Sequence, residues 1–213
     1  MKSPGFFISL EGIDKCGKST QARLLVKCFR KNRLKVIHTR EPGGTKLGQA
    51  IRKPLLSKKY PTCDRTELFL YEADRAQHVK EIVEPALKQG RLIISERFYL
   101  ATYAYQAYAR GFNAEWVNKL NMFAAFNIRP DLTIVVDIPV RSCFKRKQAD
   151  DRIESEPRRF MEKVRQGYHK AASKDRKIIL VDGQGNVNKV QARILYALYS
   201  SKSFITWVAN AKK

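Results

Sequence analysis

No apolar run in this sequence approaches the roughly 20 residues that a membrane-spanning helix needs, which excludes a bundle of such helices. Cysteine is sparse and scattered. Cys16, Cys28, Cys63 and Cys143 stand 12, 35 and 80 residues apart, without the close pairs of zinc or redox sites, and reduced thiols are expected. Acidic residues are scarce, 20 against 42 lysines and arginines, leaving a formal charge of +22. There is no internal repeat, no low-complexity linker and no break in composition to mark a second domain. The opening residues hold too short an apolar run for a signal peptide and lead directly to Glu11, so a cytoplasmic location is expected.

What is present is the material of a core. Hydrophobic residues make up 44% and aromatic ones 10% of 213 residues, which suits one domain of ordinary size, 1–213. Those fractions exclude a disordered tail or a collagen-like chain. The excess charge sits on both flanks. Residues 1–70 carry 16 basic and 5 acidic side chains, residues 71–138 eight of each, and residues 139–213 carry 18 against 7. Such a balance fits a nucleic-acid binder, a lysine-rich surface or a site for small polyphosphates. No basic run exceeds three residues and no arginine–aromatic repeat accompanies it, so no specific nucleic-acid partner is expected.

Short apolar runs at 6–10, 36–39, 92–95, 132–137 and 178–182 read as buried strands. Helical patterns lie between them, at 18–32, 45–56, 66–89, 99–109, 113–127, 156–173 and 187–200. That alternation predicts a five-stranded parallel sheet flanked by helices, a three-layer α/β fold with right-handed crossovers. Residues 145–159 are highly charged and poor in apolar side chains, which suggests a mobile loop. The apolar residues 204–208 are expected to dock on the body.

Between the first strand and the first helix stands Gly12-Ile13-Asp14-Lys15-Cys16-Gly17-Lys18-Ser19, followed by Thr20. It matches G-x-x-x-x-G-K-[ST] in the context that gives the pattern meaning. The glycines let successive backbone N–H groups turn toward phosphate oxygens at the positive end of a helix. Lys18 is expected at the β- and γ-phosphates of ATP and the Ser19 hydroxyl on Mg²⁺. A ligand-free glycine turn would leave Lys18 without a purpose. Asp14 would repel a triphosphate and is better placed to face a second substrate or the metal. Lys15 either adds a cation at the transferring group or is a solvated loop lysine.

Four further motifs follow in order. They are Arg40-Glu41-Pro42-Gly43-Gly44-Thr45, the segment Glu67–Val79 containing Tyr71 and Arg75, then Glu96-Arg97 with Thr102, Tyr105 and Gln106, and Asp151-Arg152-Ile153-Glu154. Their order and spacing resemble the thymidylate kinases, P-loop enzymes that phosphorylate dTMP with MgATP; the likeness runs from about residue 6 to about 198. Arg40, at the carboxyl edge of a parallel strand, suits a bidentate grip on the acceptor's phosphate, with Glu41 beside it and Arg97 in the same crevice. Tyr71 and Arg75 are four apart and share a helix face. The resemblance implies that Tyr71 stacks on thymine, Arg75 bonds its carbonyl and Tyr105 favours deoxyribose, with Thr102 and Gln106 nearby. It also implies an ATP contact by Arg152, a mobile lid at about 143–157, and a homodimer built on helices such as 113–127.

Three departures stand out. The family's Asp-Arg pair reads Glu96-Arg97, one methylene longer, and Ala101 replaces a serine. The lid carries Lys145 and Lys147 where arginines are usual, and lysine lacks the planar fork. With Lys15 also basic, the catalytic cation is either Lys15 or Lys147. Glu96 is read as a catalytic and metal-side carboxylate together with Ser19. The alternatives are a deoxynucleoside kinase, which shares Glu-Arg but gives Arg40 no phosphate to hold, another nucleoside monophosphate kinase, or a non-enzymatic P-loop protein bound to nucleic acid.

Overall fold

The computed structural model describes residues 4–144 and 151–211. Strands β1 (Phe6–Glu11), β2 (Val36–Arg40), β3 (Leu92–Glu96), β4 (Leu132–Asp137) and β5 (Ile178–Asp182) form one parallel sheet in the order β2-β3-β1-β4-β5. These are the five apolar runs of the sequence to within a residue at either end. The strand period of two divides their side chains between two faces. Phe7 and Ile93 cluster with Val79, Val83 and Ala86 on one face. Ile8, Leu10 and Ile94 cluster with Ala22, Leu25 and Phe29 of α1 (Lys18–Lys31) on the other. Each buried valine, leucine, isoleucine or phenylalanine among them contributes roughly 1.5–3 kcal/mol. The sandwich of helix, sheet and helix is therefore what the sequence pattern predicts.

Helix α2 (Lys46–Leu56) starts at Thr45, whose side chain accepts from Gly48 N at 2.9 Å, a cap of about 1 kcal/mol. The helix expected over 66–89 begins earlier and is not uniform. It runs as α3 (Asp64–His78), a π-helical turn over Val79–Val83, and α4 (Glu84–Lys88). Pro85 has no N–H and its ring crowds the carbonyl four residues back, so the ladder opens just before it. The helix expected over 99–109 likewise begins as α5 (Tyr99–Thr102) and continues as a π segment, Tyr103–Ala109. Then come α6 (Ala114–Ala124), the short and unforeseen α7 (Val140–Phe144), α8 (Arg158–Ala172) and α9 (Val187–Tyr199). The apolar tail forms α10 (Lys202–Ala211), which buries Phe204 and Trp207 against Phe6 and donates the Trp207 indole N–H to Pro4 O at 2.8 Å. No described helix is long and apolar enough to cross a membrane. The carboxyl ends of β1 and β3 lie side by side, Leu10 opposite Glu96, and so bring residues 11–19 next to Glu96 and Arg97.

Candidate active site

The loop after β1 can close only with unusual backbone. Gly12 has φ 134°, and a Cβ there would lie 2.6 Å from the Val136 carbonyl oxygen, a clash that no side chain avoids. Gly17, at φ 102°, caps α1, and Lys15 is left-handed at φ 63°. Lys18 is buried and donates to the Ile13 carbonyl at 3.2 Å, with Asp14 at 3.6 Å. Cys16 and Ile13 are buried and line the loop's inner side, and Thr20 lies within α1.

Arg97 follows β3 in a left-handed conformation, φ 71°, unusual for a side chain of its size. Three bonds hold it there. Its N–H donates to Leu10 O, its carbonyl accepts from Ser95 Oγ, and the next N–H, of Phe98, donates to Glu11 Oε1. Its guanidinium donates to Asp14 at 2.5 Å, to Tyr105 OH at 3.0 Å and to Tyr168 OH at 3.3 Å. Tyr105 OH donates in turn to Asp14, and Tyr168 OH to Glu11. Burial alone would raise Asp14, but Arg97 and Lys18 more than offset it and hold its carboxyl well below the usual range. Glu11 lies deeper, and there burial wins over Arg97, pushing the carboxyl up to about 7.

Beyond Arg97 opens a cleft enclosing about 500 Å³, its mouth included. Asp14, Arg97 and Arg52 line one end of it; Tyr71, Arg75, Thr102 and Gln106 line the other. Arg52 lies on α2 and donates to Pro42 O at 3.0 Å. Burial, and after it the neighbouring charges of Arg40 and Arg97, pull its pKa down against the opposing charge of Asp151. Arg40 itself does not line the cleft. Strand alternation turns Thr39 toward His78 and leaves Arg40 exposed, while Arg52 stands in the cleft wall.

At the far end Arg75 is almost fully enclosed. It donates to Glu41 at 3.0 Å, Glu72 at 2.9 Å, Asn121 at 2.6 Å and Thr102 at 3.0 Å. Burial would lower its pKa, but Glu41 and Glu72 raise it. Glu41 is also hydrogen-bonded to His78 Nδ1 at 2.8 Å, and Gly43 N donates to Asp74. The Glu41-Pro42-Gly43-Gly44 turn is thus bolted to α3, and a Cβ at Gly44 would meet His78 and Thr39 within 2.8 Å. Glu41, expected beside the acceptor's phosphate, lines the cleft and is bonded to Arg75 and His78. Tyr71 is buried enough at the cleft wall for its hydroxyl to be pushed up.

Arg152, expected on ATP, turns the other way. It donates to the Leu55 carbonyl and to Glu67, which also receives Arg110 and Gln106. The buried acid Glu67 draws the cation in and so pins the segment after residue 150 to α2 and α3. Lys15 pairs with Glu154 of the same segment at 3.5 Å. Lys145 and Lys147, and with them the middle of the expected lid, lie outside the described residues. Sequence reasoning missed Arg52, Glu11, Tyr168, His38 and Glu67 as site residues; of these only Glu67, inside a quoted motif, left a signal.

Ser19 Oγ donates to Glu96 Oε2, and His38 Nε2 donates to Oε1 at 2.9 Å. Burial would raise Glu96, but His38 and Ser19 bring it down, so the carboxylate is anionic. A hydroxyl and a hard carboxylate beside a phosphate loop fit Mg²⁺, which prefers few protein oxygens and completes its shell with phosphate and water.

A family model described as thymidylate kinase matches residues 10–194. The thymidylate kinase of Sulfurihydrogenibium sp. (strain YO3AOP1) is 43% identical over 199 residues, covering 91% of this chain and 97% of that protein. That of Kosmotoga olearia is 40% identical over 193 residues, covering 89% and 93%. The crystal structure of thymidylate kinase from Ehrlichia chaffeensis matches with a TM-score of 0.74 at 29% identity, over 92% of this chain and 99% of that one.

Proposed function

The chain belongs to the thymidylate kinase family, and from that premise we propose how its residues divide an ATP-dependent transfer of the γ-phosphoryl group to dTMP, giving dTDP and ADP for dTTP synthesis. The observation that carries the reading is the pair of guanidinium groups on the cleft wall, where Arg52 and Arg97, the latter set by Asp14, line the same space beside the phosphate loop. ATP lies with its phosphates in residues 12–20 and its γ-phosphate at Lys18. dTMP fills the cleft, its phosphate between Arg97 and Arg52, its sugar against Asp14 and Tyr105, and its base against Tyr71, Thr102 and Gln106. Arg75 contributes mainly by holding the base end rigid, since Glu41, Glu72, Asn121 and Thr102 already occupy its donors.

In-line transfer needs positioning and neutralised charge rather than covalent chemistry. Arg97 is preset by its Ser95 and Leu10 bonds and by that of the next N–H, of Phe98, to Glu11, so little reorganises when the acceptor's phosphate arrives. Ser19 and Glu96 would hold Mg²⁺, which would supply neutralising charge to the donor's phosphates. Lys15 reaches the transferring group by exchanging Glu154 for phosphate, with Lys147 of the lid as the competing candidate. The lid over about 143–157 excludes water from this single kinase domain.

The remaining assignments are a cytoplasmic enzyme and a homodimer. Phe69 of α3 and Trp116, Phe123 and Phe126 on or beside α6 stay 44–84% exposed on neighbouring helices, an apolar face suited to a second copy. Initial rates with MgATP and dTMP, dUMP, AMP or thymidine test the activity. dTMP should be fastest, dUMP slower and AMP negligible; preference for thymidine or AMP would refute the assignment.

A further inference from the structure

Glu96 is gripped from two sides, and only one of them is the phosphate loop. Ser19, in the first turn of α1, takes Oε2, while His38 on β2 holds Oε1 at 2.9 Å with its ring 28% exposed. In the parallel pairing of β2 with β3, His38 stands opposite Ile94, so Glu96 lies two residues further on the same face. A side chain must lean forward along the strand to bridge that diagonal. Glutamate can; an aspartate at 96, as the family usually has, would draw the carboxylate back by about 1.5 Å, one carbon–carbon bond.

We infer that His38 is a positioning residue that clamps one oxygen of Glu96 and so aims the other at Ser19 and the phosphate loop. The inference rests on the proposed role of Glu96 in the reaction. A glutamate on its own samples several rotamers, and the strongest competing attraction here is Lys18, whose charge also acts on Glu96. The imidazole N–H removes that freedom by fixing Oε1 on the side away from the loop. The extra methylene at 96 and the histidine at 38 then form one device, a longer arm with a second support. An incidental surface pair of histidine and carboxylate would leave catalysis unchanged, because exposed pairs contribute little.

A double-mutant cycle separates the two. His38→Leu, Glu96→Asp and the double variant are compared in kcat, in dTMP KM, and in Mn²⁺ affinity with ADP by electron paramagnetic resonance. His38→Leu should lower kcat about tenfold, the weight of one misaimed carboxylate, and weaken Mn²⁺ several-fold, with dTMP KM within about twofold. His38→Gln, which keeps an N–H donor, should recover most of both. In the Glu96→Asp background His38→Leu should change kcat by less than about twofold, since the clamp no longer reaches. Unchanged kcat and Mn²⁺ affinity in His38→Leu, or equal losses in both backgrounds, would overturn the inference. Glu96→Gln distinguishes the two levels. If it stays active, the reading of Glu96 fails and the clamp with it; if it is crippled while His38→Leu is not, the clamp alone fails.

Discussion

Two ends of one cleft use arginine in opposite ways. At the base end Arg75 is enclosed by Glu41, Glu72, Asn121 and Thr102, every partner supplied by the protein. At the phosphate end Arg97 pairs with Asp14 while Arg52 donates to the Pro42 carbonyl, and burial first, then the charges of Arg40 and Arg97, lower the Arg52 pKa. Arg75, held by two buried acids, ties structure together; Arg52, bonded to a backbone carbonyl, keeps its charge for an anion. The residue type is the same and only the surrounding acids differ. The molecule's +22 charge has at least part of its use there, at a site for phosphates.

The widest gap between the two ends should show in stability. Arg75→Ala strands Glu41 and Glu72 in a buried site and should cost about 3–5 kcal/mol in urea unfolding, as breaking a buried pair does. Arg52→Ala relieves repulsion and should leave stability nearly unchanged. Equal losses would erase the distinction. Lys18→Ala probes the phosphate end from the donor side. It should lower kcat/KM by at least roughly 10²-fold, about 3 kcal/mol, the weight of one charge-assisted contact to the transferring group. Near wild-type turnover would mean that the loop holds something other than ATP.

Glu11 sharpens the comparison through pH. Its folded pKa of about 7 stands above the ordinary 4.5, so the unfolded chain releases this proton first. Its contribution to stability is therefore greatest below pH 4.5 and is lost as pH rises toward 7, by up to about 3 kcal/mol. Glu11→Gln keeps the shape and cannot ionise. Its stability relative to the wild type should climb between pH 4.5 and 8, whereas parallel curves would show that Glu11 does not titrate in the fold.

Much of this was legible in the sequence because it is local. The phosphate loop is eight consecutive residues between a strand and a helix, and the five strands are contiguous apolar runs. The pairings that decide roles join residues far apart, and no local pattern records them. Arg75 meets Asn121 across 46 positions, Tyr168 meets Glu11 across 157, and His38 meets Glu96 across 58. Arg75 and Arg97 were identifiable as important cations, but which acids each would meet depended on partners far along the chain. Arg52 lay inside an ordinary amphipathic helix and gave no sign. The π turns were hidden for another reason, since they preserve helical periodicity and alter only the bonding ladder.

The central claim is that Arg52 and Arg97 bind the acceptor's phosphate, and equilibrium binding of dTMP and thymidine by calorimetry tests it most directly. dTMP should bind at least about 10²-fold more tightly than thymidine, and Arg52→Ala should shrink that ratio about tenfold while leaving thymidine affinity unchanged, each factor of ten being 1.4 kcal/mol of charge-assisted contact. Equal affinity for the two ligands, or a ratio untouched by Arg52→Ala, would contradict the account.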